Sequence, residues 1–178
     1  MINYILLTGM WGGLVAVIGA AYPEEKVKSP LHSTKNWLLA IGALILTGYA
    51  CLNYFFASGS VFFVLLELLV VVSAVMMMAD FRDTVDTIVL AIAGAGFVVW
   101  SLFLYEGYQT IYFIVGLTGI ALGYAFKMGT TKRSLALTVG SGLIAYFSYL
   151  GKAPVFLWLN VFFCLFSAYY LVKGLRKA

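Results

Sequence analysis

Apolar stretches of about twenty residues fill the chain, at about 2–21, 36–57, 60–79, 84–105, 108–126, 133–150 and 154–173. Each is long enough to cross a hydrocarbon layer of ~30 Å as an α-helix. The breaks between them read YPEEKVKSP, ASGS, ADFRD, YEGYQ, KMGTTKR and GKAP, which are charged or turn-forming. Pro154 falls just inside the last stretch, where its missing N–H costs no helical bond. The tightest breaks are 58–59 and 106–107, and merging a pair there would change the count. The runs are continuous, so the alternating ten-residue segments of a membrane β-barrel are absent. The pattern predicts an all-α polytopic membrane protein with seven transmembrane helices.

Composition agrees. Of 178 residues, 63% are hydrophobic and 10% charged, with a mean hydropathy of +1.02. Charge then orients the chain. With the N-terminus outside, Lys26, Lys28, Lys35, Arg82, Lys127, Lys132, Arg133, Lys173, Arg176 and Lys177 all fall on the cytoplasmic side, and only Lys152 falls outside. Such a bias follows the positive-inside rule and supports an odd number of helices. The formal charge of +4 is therefore a consequence of topology. It does not point to nucleic acid, and the basic rim suits an anionic inner leaflet. No basic residue precedes the first helix, and Gly9, Gly12 and Gly13 suit helix packing, so we read it as a true span rather than a signal peptide. The expected location is a bacterial or archaeal plasma membrane, with the C-terminus cytoplasmic.

The chain also repeats itself. At a shift of 94, VFFVLLELLVVVSAVMMM (61–78) lies on VFLWLNVFFCLFSAYYLV (155–172), matching Val61/Val155, Phe62/Phe156, Leu65/Leu159, Ser73/Ser167 and Ala74/Ala168. The preceding segments NYFFASGS and FSYLGKAP align as well. Gly9/Gly12 pairs with Gly116/Gly119 at a shift of 107, the difference being a longer first loop. These matches predict two parallel three-helix repeats, 1–79 and 108–178, joined by a linker helix in 80–107. An odd linker is what keeps the two repeats in one orientation.

In this arrangement the chain resembles the SWEET and PQ-loop transporters and the related Pnu family of vitamin-precursor transporters. NYFFASGSVFFVLLELLVVVSAV (53–75) looks like the Pnu pattern of an aromatic-rich helix end, a turn glycine (Gly59) and a polar residue eight positions on (Glu67). An Asn on the third and seventh helices lines the SWEET pocket; Asn160 matches in the seventh, while its mate in the third is Leu66. The chain departs from the families in having no PQ dipeptide, no proline within a helix interior and no W-x-x-W-x-x-x-N in the sixth helix. Nicotinamide riboside is thus not the expected substrate. The resemblance implies a small-solute carrier with a pocket between two triple-helix bundles.

Glu67 is the sharpest chemical feature, one carboxylate inside the run FFVLLELLVVV. Seven residues in from Ser60, it lies about 10 Å deep at 1.5 Å per residue. A membrane acid costs at least ~2.5 kcal/mol, and no Lys or Arg lies in a span interior to pair with it. It must be protonated, hydrogen-bonded or facing water. Asn160 is the expected companion, with Asn53, Tyr54, Ser141, Tyr146 and Trp158 completing a pocket for a small polar solute. Glu67 would then orient a hydroxyl or amine or titrate during transport, making proton coupling available. The alternative is a Glu67 hydrogen bond that only joins helices.

A second cluster, Asp80, Arg82, Asp83 and Asp86 in ADFRDTVD, suits the start of the fourth helix, where acids meet the positive end of the dipole. A cytoplasmic gate formed by Asp80, Arg82 and Asp83 is the functional alternative. Cys51 and Cys164 read as small packing residues, and His32 lies in a loop. No nucleotide, zinc or nucleophile motif is present, so neither a cofactor nor an enzyme is expected. Lys173 sits at the end of its helix, which leaves no mid-membrane lysine for retinal. Small-residue patches at 91–96, 116–123 and 139–142 predict close helix packing within the chain, with a homo-oligomer face as the alternative. A non-transporting accessory subunit remains the rival function.

Overall fold

The computed structural model describes residues 2–23, 29–79, 81–127 and 129–176. Among these are seven α-helices: α1 Ile2–Ala21, α2 Thr34–Phe56, α3 Val61–Ala79, α4 Asp83–Phe103, α5 Tyr108–Ala125, α6 Thr131–Leu150 and α7 Pro154–Leu175. Both of the tightest expected breaks are real. Ser58 takes a positive φ of 54° after α2, and Gly107 reaches φ 139° before α5. Six helices, all but α6, are long and apolar enough to cross a membrane, which is compatible with an integral membrane protein. α6 is diluted by Lys132 and Arg133 at its start and by Ser134, Thr138, Ser141 and Ser148 along it.

The chain divides into two compact units, Met1–Arg82 and Asp83–Ala178, with α4 grouped with the second. In the first unit α2 packs against both α1 and α3. Small residues set the α1–α2 approach: a Cβ on Gly42 would stand 2.7 Å from Ala16 N, and one on Gly12 2.9 Å from Ile45 Cγ2. The start of α2 is tied to a short 3-10 turn, Pro30–His32. Ser33 Oγ accepts from Asn36 N at 3.4 Å, Asn36 Nδ2 donates to Pro30 O at 3.1 Å, and Trp37 Nε1 donates to Leu31 O at 2.9 Å. The first bond satisfies an amide donor that a bare helix start leaves open, and the other two tie α2 side chains to carbonyls of the 3-10 turn.

In the second unit each helix packs on the next, α4 on α5, α5 on α6 and α6 on α7. Glycines again govern the closest crossing. A Cβ on Gly119 would lie 2.8 Å from Gly140 Cα, and one on Gly140 would lie 2.7 Å from Ile120 N. Gly94 of α4 faces Ala121, and Gly123 faces Leu137. The patches 91–96, 116–123 and 139–142 are thus used largely for packing within this unit.

Two features of the second unit reproduce the first. Gly9 and Gly12 of α1 meet Tyr49 and Leu46 of α2, while Gly116 and Gly119 of α5 meet Ile144 and Gly140 of α6. The turns leaving α2 and α6 match in part: Gly59 N reaches back six residues to Asn53 O, where Ala153 N reaches back five to Ser148 O. Ser58 and Lys152, at φ 54° and 51°, are the described non-glycine residues with positive φ, and they stand 94 residues apart. Ala57 N donates to Asn53 O at 3.0 Å in one turn, and Gly151 N to Phe147 O at 2.9 Å in the other. In the second turn Lys152 N and Ala153 N reach back to Tyr149 O and Ser148 O, the bonding of a Schellman stop.

Candidate functional site

Glu67 is set by α3, a helix apolar around nearly its whole circumference. It is 2% exposed. Phe63, one turn earlier, and Ala74, two turns later, are buried on the same stripe. Its Oε2 has no hydrogen-bond partner among the described residues. Leaving such an oxygen unsatisfied costs about 1–3 kcal/mol, more if it is charged.

The other first-unit candidates sit at the end of α2. Asn53 is half-buried, and its carbonyl accepts from Ala57 N and Gly59 N at 3.0 and 2.9 Å, so its backbone holds the turn. Its side-chain amide lies against the α face of Gly59, where a Cβ would collide with it. Tyr54 is exposed and stacks edge-on with Phe55 at 5.0 Å.

In the second unit Asn160 of α7 is 5% exposed, and its Nδ2 donates to Phe156 O one turn back at 2.9 Å. Ser141 of α6 is buried too. Trp158 is different: at 70% exposure it leaves α7 on the side away from Asn160, since two residues span about 200° of helix. Tyr146 is exposed and packs edge-on against Tyr112 of α5 at 4.9 Å. The candidates therefore separate into buried polar groups, Glu67, Asn160 and Ser141, and outward aromatics, Tyr54, Tyr146 and Trp158.

Of the gate candidates, Asp80 lies outside the described residues. Arg82 is exposed, and Asp83 opens α4. Both cysteines are free and half-buried, and Cys164 Sγ donates to Thr138 O at 3.4 Å across α6 and α7. Among the described residues no group of His, Cys, Asp or Glu could hold a metal ion.

Several buried hydroxyls escaped the sequence reading. Ser101 Oγ donates to Phe97 O at 2.8 Å and Ser148 Oγ to Ile144 O at 2.7 Å, while Thr110 Oγ1 accepts from Glu106 N at 3.2 Å. A serine or threonine satisfied by its own helix carries no sequence signal, because it behaves as a small apolar residue. A shallow open groove on α4, lined by Gly96, Val99, Trp100 and Phe103, is apolar and adds no chemistry.

The fold and these groups define a helical protein with membrane-length segments, four of which, α3, α4, α5 and α7, bury polar side chains. No protein-family model matches the chain, and neither a curated protein nor a solved structure is significantly similar to it.

Proposed function

We propose that the chain is a small-solute membrane transporter built by duplication of a three-helix unit, similar in arrangement to the SWEET and PQ-loop carriers, with Glu67 and Asn160 as the polar contacts for the solute. The observation that carries this reading is Glu67, fully buried in an apolar helix with an unpartnered Oε2. A carboxyl group buried at such cost in an apolar helix is a functional group by default. Asn160 offers a buried amide on the repeat-related helix.

Duplication is supported by the shared crossing register and by the matching turns at Ser58 and Lys152. We count α6 as a seventh span. It packs against α5 and α7, each of span length, which supports counting it with them although its own sequence is less apolar. Seven spans restore the odd count that the basic residues require and put the C-terminus in the cytoplasm.

The rival reading is an accessory membrane subunit, favoured by the outward Trp158, which would suit a surface for another membrane protein. A thermal-shift screen of the purified chain against sugars, nucleosides, vitamins and amino acids separates the two. A solute that stabilises the wild type and not Glu67→Gln supports the carrier, because selective binding to the folded state raises its melting temperature. Silence across the panel, with the variant less stable than wild type, would transfer the case to the accessory subunit.

A further inference from the structure

One end of the second unit gathers positive charge from two helices. A Cβ on Gly174 would lie 3.1 Å from Thr131 Oγ1, so the last turn of α7 rests against the first turn of α6. This contact collects Lys132 and Arg133 from α6 with Lys173 and Arg176 from α7. The first turn of α6 holds no acid, and the last turn of α7 is basic.

Lys173 and Arg176 suit the C-terminal end of α7, but the charge on α6 is not explained by its helix. Lys132 and Arg133 sit at the N-terminal end of α6, where the macrodipole disfavours cations. Arg133 is half-buried, and its Nη1 donates to Phe126 O at 3.1 Å, which fixes the guanidinium against the α5–α6 turn. A guanidinium carries five N–H donors, so others remain for a second acceptor. Lys132, Lys173 and Arg176 are exposed, and the Lys173 ammonium stands 5.9 Å from the Tyr169 ring.

The acids at this end, Asp83 and Asp86, belong to the first turn of α4, which a Thr87 Oγ1 bond to Ala125 O holds beside the end of α5. Asp86 already has an interaction of its own, as does Lys127. Of the two helices that carry these cations, α7 is of membrane length, and on the seven-span reading proposed above the cluster stands where a bilayer meets water. Phosphate is the anion that such a surface presents in quantity, and a basic cluster between helix ends matches it.

We propose that Lys132, Arg133, Lys173 and Arg176 form a binding site for the headgroup phosphate of an anionic phospholipid. The lipid supplies the negative charge that the α6 and α7 ends lack, and it pins these ends to one leaflet. Arg133 contributes direction through its fixed guanidinium, and the three exposed cations contribute attraction.

The test is native mass spectrometry of the full chain released from detergent with phosphatidylglycerol or with phosphatidylcholine. Wild type should retain phosphatidylglycerol selectively. K132Q/K173Q/R176Q should bind it on the order of 100-fold more weakly, at about fivefold per charge removed. Arg133 is left intact because its bond to Phe126 O is structural. The charge-conserving K132R/K173R/R176K should keep the lipid. Equal melting temperatures of the triple variants and wild type in lipid-free detergent would show that the fold is unharmed. Retention of phosphatidylglycerol by the Gln variant at wild-type affinity, or equal retention of phosphatidylcholine, would overturn the proposal. Displacement of the lipid by millimolar inorganic phosphate would overturn it too, assigning the cluster to a free anion.

Discussion

Replacing Gly140 by Ala tests how tightly the second unit is built. The added Cβ would stand 2.7 Å from Ile120 N and 2.9 Å from both Gly116 O and Gly119 C. All three are backbone atoms of α5, so no side chain can rotate away. Restoring an ordinary contact of 3.4 Å or more requires α5 and α6 to part by about 0.7 Å. A radial gap of that size forfeits a quarter to a half of the dispersion well for the atoms it separates, and overpacking of this kind costs about 1–3 kcal/mol. Gly48→Ala is the matched control, since a Cβ there meets nothing within 4 Å. Alanine's better helix propensity should make that change neutral or stabilising by up to about 1 kcal/mol. Unfolding of the detergent-solubilised chain, followed by far-UV circular dichroism against increasing SDS, reads both. Equal stability of Gly140→Ala, Gly48→Ala and wild type would refute the close crossing of α5 and α6.

Other predictions concern the turns, the cap and the buried acid. Ser58→Gly and Lys152→Gly should each stabilise by about 0.5–1 kcal/mol, because glycine removes the left-handed strain at φ 54° and 51° and gives back only part of that as chain entropy; a loss in the same unfolding assay would count against these turn conformations. Ser33→Ala should cost about 1 kcal/mol by uncapping α2, with earlier amide exchange at Asn36 as its local signature. Glu67→Leu should raise stability or leave it unchanged, since it removes an unpartnered buried oxygen, whereas marked destabilisation would mean that Glu67 holds helices together.

Much of the fold was legible because an apolar run of membrane length leaves the backbone one way to satisfy its own polar groups. The expected stretch 108–126 became Tyr108–Ala125, and 36–57 became Thr34–Phe56. α6 reads as a span by its length, yet its serines, threonines and basic start set it apart from the six apolar helices. Register was harder to read. The glycine pairs at a shift of 107 hinted at the crossing, but which residues they met on α2 and α6 depended on packing.

The candidate site was legible to different degrees. Glu67 announced itself as an acid in an apolar run, and it is buried. The aromatics did not announce their direction, because a helix apolar all round has no polar stripe from which to read a face. Trp158 and Asn160, two residues apart, read from the sequence as members of one pocket, but helical geometry turns them to different sides. Asn53 shows a further limit: its carbonyl is committed to the turn before Gly59, a role that only the backbone path reveals.

The claim of transport is tested most directly by uptake into liposomes that contain this chain alone, with labelled sugars, nucleosides, vitamins and amino acids as the panel. Saturable uptake of one solute by wild type, abolished or uncoupled in Glu67→Gln at equal incorporation, is the predicted result. Flux no greater than that of empty liposomes for every solute would contradict it.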